Sequence, residues 1–86
     1  ERLHQLIRDS VLHCQTAGNL VVIKTPTAAA QPLASALDSA ALADVAGTIG
    51  GDDTIFIALA TPGAAASLSR RIQDIAGIAP RSRNRL

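Results

Sequence analysis

The chain has 86 residues, a formal net charge of +1, and 48% apolar residues but only one aromatic, Phe56. That length bounds one small domain, and near-neutrality argues against a body that grips polyanions, which need a basic face. No apolar run reaches the ~20 residues of a membrane span, and the single cysteine, Cys14, excludes an intrachain disulfide and fits a reducing, cytoplasmic setting.

The chain opens at Glu1 without Met or a signal-peptide pattern, which suggests a fragment of a longer protein. Residues 1–6 read as the end of an interdomain linker, 7–77 as the domain and 78–86 as a flexible basic tail. From Ile7 to Thr16 the sequence reads as a strand, then Gly18-Asn19 as a turn, then Leu20 to Thr25 as a β-branched strand. Leu33, Ala36, Leu37 and Ala40 repeat at helical spacing after Pro32, which suits a first turn, so a helix is expected to about Ala41. A second hairpin follows: Val45 to Ile49, the turn Gly50-Gly51-Asp52-Asp53, and Thr54 to Leu59. Thr61 and Pro62 cap and open a last helix, its stripe is Ala64, Leu68, Ile72 and Ile75, and Gly77 ends it. The order is β-β-α-β-β-α. It predicts an α+β two-layer sandwich, one four-stranded antiparallel sheet with two helices on one face.

Two helices cover one face of such a sheet, and the other should then alternate apolar with polar. Leu20 to Ile23 and Ile55 to Ala60 are apolar throughout, so the second face calls for another subunit. On the first helix Gln31 and Asp38, seven residues apart, share an azimuth at ~100° per residue, flanked by the small Ala34 and Ser35. That face reads either as an ordinary solvated one or as a ligand-lined interface. Asp52 and Asp53 lie adjacent at a hairpin tip, where like charges repel unless a cation or solvent screens them. They fit a solvated turn. They also fit a site for a guanidinium, which gives a carboxylate two parallel N–H bonds. His4 and His13 are too isolated for a metal site, and Arg70 and Arg71 read as a solvated helix face.

Several stretches decide between these readings. They are Asn19-Leu20-Val21-Val22-Ile23-Lys24-Thr25-Pro26, Ala29-Ala30-Gln31-Pro32, Ala34-Ser35-Ala36-Leu37-Asp38, Gly47-Thr48-Ile49 and Gly51-Asp52-Asp53-Thr54. In this order they resemble the C-terminal domain of bacterial arginine repressors, from about Leu12 to Ile75. One departure is Gly50, where that family usually has Ala; it is expected to loosen the hairpin without removing a ligand-contacting side chain. The resemblance implies a transcriptional regulator, not an enzyme, that represses arginine biosynthesis genes. It implies a homohexamer of two stacked trimers, with L-arginine as corepressor where the trimers meet. Asp52 and Asp53 would bind it, with Asp groups reaching across the junction, Gln31 and Asp38 would recognise its α-amino and α-carboxyl end, and Thr48 would lie nearby. No other cofactor and no metal is implied, and operator DNA would be met by an absent N-terminal winged helix-turn-helix domain. Two alternatives remain: a pure oligomerisation module without ligand response, and an enzyme using the Asp pair for acid–base or metal chemistry, which lacks any companion nucleophile or phosphate loop.

Overall fold

A computed structural model describes residues 2–78. The elements run α1 (Arg2–Ser10), β1 (His13–Ala17), β2 (Leu20–Lys24), α2 (Ala30–Ser39), β3 (Val45–Gly50), β4 (Thr54–Leu59) and α3 (Pro62–Ala76). The four strands form one antiparallel sheet in the order β1-β2-β4-β3. The α+β sandwich expected from the sequence is therefore present, with one helix more than expected. The basic tail falls almost wholly outside the described residues.

The added helix corrects the strand reading of Ile7 to Thr16, because pairing with β2 begins only at His13. The boundary drawn between Leu6 and Ile7 falls inside α1. Ile7 is buried in the core, with Leu3 and Leu6 packed against it, so one stripe of the helix faces inward. Its outer side is laced by Gln5 donating to Asp9 one turn on and Arg8 donating to Gln5. The helix packs against α2 and α3 rather than lying on the sheet.

Each hairpin forms for local reasons. Gly18 takes φ +61°, the left-handed value that the first place of a tight two-residue turn requires, and Ala17 pairs with Leu20 around it. Asn19 ties that turn to β4: its side-chain amide donates to the Leu59 carbonyl at 2.9 Å. A bulge between Val45 and Gly47 resets β3 before it pairs with β4.

Alternation then sorts the side chains. Cys14, Val21, Ile23, Ile55, Ile57 and Leu59 point to the helical layer and are buried with Leu33, Leu37, Leu68 and Ile72. Full burial of such side chains contributes roughly 1.5–3 kcal/mol each. The opposite face carries Leu20, Val22, Ile49, Phe56 and Ala58, and no element among the described residues covers it; Ile49 remains 69% exposed and Phe56 46%. The expectation of an apolar, uncovered second face is met.

Helix α3 ends as its sequence dictates. Thr61 Oγ1 accepts the Ala64 N–H at 3.0 Å, Pro62 follows in the first turn, and Gly77 closes the helix at φ +72°. Thr61→Ala is expected to cost ~1 kcal/mol, read as a melting temperature lower by roughly 4–8 °C for a domain of this size. Inside, Gln73 donates to the Cys14 carbonyl at 2.8 Å and to Ser69 Oγ at 3.3 Å, joining α3 to β1. Burial pushes the Cys14 thiol pKa up, and its contact with Ser69 partly offsets this. Cys14 is thus a packed, protonated side chain.

Helix α2 is turned relative to the sequence reading. Its buried stripe is Ala30, Leu33, Ala34 and Leu37, whereas Ala36 is half-buried and Ala40 exposed. Ala34, expected on the outer face, lies against β3. The reason is Gly50: a Cβ there would stand 2.9 Å from Ala34 Cβ and 3.3 Å from the Ala30 carbonyl oxygen. The bare glycine backbone admits the helix. The close approach of α2 to β3 thus passes over Gly50.

Candidate functional site

The tip of the β3–β4 hairpin is clamped into the loop between β2 and α2. The Thr25 N–H donates to the Asp53 carbonyl at 2.8 Å, and the Ala30 N–H to the Asp52 carbonyl at 3.4 Å. Between them the Ala28 N–H donates to Asp52 Oδ1 at 3.2 Å. Ala28 makes this contact from the left-handed region, at φ +68°, a conformation that costs an alanine roughly 1 kcal/mol. The loop is thus held in a shape that its own residues disfavour.

Beside the clamp lies an open cleft of about 700 Å³, lined by Ala28, Gln31, Pro32, Gly51 and Asp52. It brings together Gln31 from the first turn of α2 and Asp52 from the hairpin tip. Asp38 stands on the same exposed side of α2, about 10 Å further along at ~1.5 Å per residue. Thr48 lies on edge strand β3, half-buried, paired with Ile57 and therefore on the helical side.

The two acids diverge. Asp53 has Lys24 Nζ at 3.6 Å and accepts the Thr54 hydroxyl at 2.9 Å, while Lys24 donates to that same hydroxyl oxygen at 2.7 Å. The Thr54 hydrogen bond first, and the Lys24 charge second, hold the Asp53 carboxyl below its ordinary pKa. Asp52 has no ion pair among the described residues, and Ala28 is its side chain's protein donor. Asp52 Oδ2 is left without one. The cleft thus carries an uncompensated carboxylate at one wall and the Gln31 carboxamide at the other. No three His, Cys, Asp or Glu side chains among the described residues come together as metal ligands would. No helix among them is long and apolar enough to cross a membrane.

Sequence reasoning selected Gln31, Asp38, Thr48, Asp52 and Asp53. It did not single out Ala28 or Lys24. Lys24 was detectable, since a cation ending one strand beside a hairpin tip bearing acids suggests a pair. Nothing in the sequence marks Ala28, whose backbone rather than side chain contributes.

The fold and the cleft define an α+β domain with a free carboxylate in a small polar recess and a bare apolar sheet face behind it. The model of the arginine repressor C-terminal domain family matches residues 7–74. Curated proteins called arginine repressor are similar over most of the chain. That of Pelotomaculum thermopropionicum is 39% identical over 77 residues, covering 90% of this chain and 51% of its own. That of Caldicellulosiruptor bescii is 48% identical over 75 residues, covering 87% and 49%. That of Alkaliphilus metalliredigens is 53% identical over 57 residues, covering 66% and 38%. The chain belongs to the arginine repressor C-terminal domain family, a family of repressor domains and not of enzymes. It spans about half the length of the first two relatives.

Proposed function

We propose that this domain senses L-arginine and holds the subunits of a transcriptional regulator of arginine metabolism together, as a homohexamer of two trimers. One observation carries the ligand reading: Asp52, without a cation partner among the described residues, faces Gln31 across an open cleft. A guanidinium is planar, permanently charged and suited to two parallel bonds with a carboxylate. Gln31 and Asp38, exposed along one side of α2, suit the α-carboxylate and α-amino groups at the other end of the ligand. Asp53, turned toward Lys24, would serve an arginine held by an opposing subunit, and Thr48 would border the pocket. The uncovered face around Phe56 and Ile49 supports assembly, since apolar faces of this kind mark protein contacts.

In the ligand-free assembly the carboxylates of facing subunits repel. Each arginine brings a positive charge among them and bridges subunits, so its binding free energy becomes assembly free energy. The relatives' greater length supports a further domain, which we take to be a winged helix-turn-helix domain that meets operator DNA in the cytoplasm. No other cofactor takes part in this reading. The enzyme alternative has less support, because the two carboxylates point to different partners rather than converging.

Sedimentation velocity of the 86-residue chain at dilute concentration tests the reading. L-arginine should drive trimers to hexamers or tighten an existing hexamer, whereas citrulline, with its neutral ureido group, should not. A stable oligomer indifferent to arginine would leave an assembly module without a ligand response.

A further inference from the structure

We infer that the turn at Ala28 is a backbone latch for the Asp52 carboxylate, and that Ala28 is a positioning residue whose side-chain type sets how tightly the cleft binds. The inference rests on the reading of that cleft as an arginine site. Ala28 lines the cleft together with Gln31, Pro32, Gly51 and Asp52. Its N–H donates to Asp52 Oδ1 at 3.2 Å. With Oδ1 held in this way, Oδ2 is the oxygen left for a ligand.

The latch works against its own residue. Ala28 closes it at φ +68°, in the left-handed region that a Cβ disfavours. The Ala28 side chain is exposed, so it adds no core packing to offset the strain. The hydrogen bond to the carboxylate offsets it, and such a bond contributes about as much as the turn costs. The neighbouring ties, the Thr25 N–H to the Asp53 carbonyl and the Ala30 N–H to the Asp52 carbonyl, run between backbones and leave the Asp52 side chain free to turn. When Ala28 relaxes to negative φ, its N–H leaves Oδ1 and the carboxylate swings into solvent. A ligand that needs the held carboxylate then loses affinity in proportion to the fraction of chains with the latch closed. By linkage, the bound ligand in turn closes the latch.

Three substitutions separate strain from size: Ala28→Gly, Ala28→Asn and Ala28→Val. Glycine takes a positive φ at no steric cost and asparagine does so readily, whereas a β-branched residue resists it. Asparagine and valine are of similar bulk, so plain obstruction of the cleft would weaken both. Calorimetric titration of the 86-residue chain with L-arginine should find Ala28→Gly about twofold tighter than wild type, Ala28→Asn within about twofold of it, and Ala28→Val about fivefold weaker. At a temperature where all of them are folded, a merely structural role leaves affinity unmoved. In the wild type, hydrogen exchange at the Ala28 amide should slow when arginine binds. In the ligand-free chain, the strong intraresidue amide–Hα Overhauser effect that a positive φ gives should fade at Ala28 in Asp52→Ala.

Equal weakening in Ala28→Asn and Ala28→Val overturns the inference, as does an affinity that stays constant across the series. So does a left-handed signature at Ala28 that survives Asp52→Ala, because the carboxylate would then not be what holds the turn. If wild type binds no arginine, the functional reading falls and the Overhauser effect in the ligand-free chain decides alone. Its loss in Asp52→Ala then upholds the latch, and its persistence overturns it.

Discussion

Asp52→Asn is expected to weaken L-arginine binding by roughly 10- to 100-fold, the cost of losing a charge-assisted hydrogen bond to a cation. The substitution isolates charge from shape. An asparagine carbonyl oxygen still accepts the Ala28 N–H, so the left-handed turn at Ala28 and the clamp on the hairpin tip persist. What is lost is the negative charge that no cation among the described residues compensates. Titration calorimetry at fixed ionic strength reads the difference, and thermal melting checks that the fold is intact. Asp53→Asn should behave differently, because Lys24 then loses its carboxylate partner and acquires an uncompensated charge at the same tip. Equal arginine affinity in wild type and Asp52→Asn would end the electrostatic account of the site.

Phe56→Asp should abolish assembly while the subunit itself stays folded. Phe56 is 46% exposed in the single chain and sits in the middle of the bare face, cross-strand from Val22 on one side and Ile49 on the other. In the covered state a carboxylate there would be buried without a partner, which proteins avoid. Loss of a central aromatic at an interface commonly costs about 2 kcal/mol or more, a weakening of at least about thirtyfold per contact. For the isolated subunit the change touches solvent, so its effect on folding is confined to strand propensity, about 1 kcal/mol. Sedimentation at equal concentrations of wild type, Phe56→Leu and Phe56→Asp gives the answer. Oligomers of normal size in Phe56→Asp would mean that subunits meet through some other surface.

The hairpins were legible because their signals are local. Gly18 supplies a positive φ where the turn needs it, and Thr61, Pro62 and Gly77 mark the ends of α3 by chemistry confined to one or two residues. The uncovered face was legible too, since unbroken apolar runs in Leu20 to Ile23 and Ile55 to Ala60 have no second helical layer to explain them. Helix α1 was not. Its stripe of Leu3, Leu6 and Ile7 is short, and a nine-residue helix is marginal unless tertiary packing holds it. The docking surface on α2 and α3 that holds it is a property of distant sequence. The rotation of α2 escaped for a similar reason. Ala34 and Ala36 are equally apolar, and the one that turns inward lies against Gly50 of a distant strand. At the site, the adjacent acids read as a pair. Their separate fates follow from partners in other segments, Ala28 for one and Lys24 for the other.

The strand order also constrains how the chain reaches this state. Each hairpin closes over a few residues, but the sheet becomes one piece only where β2 lies beside β4, with Leu20 opposite Ala58 and Lys24 opposite Thr54. That seam is the costly step, since its partners are distant along the chain and loop closure precedes any reward. Until it forms, each hairpin presents an unpaired inner edge of Val, Ile and Leu, the kind of edge that templates aggregation. Lys24 ends one such edge and Asp52 and Asp53 precede the other, charges of the kind that disfavour edge-to-edge mispairing. Charges that sit at the hairpin tip of the folded domain thus also flank the apolar edges while the two halves are still apart.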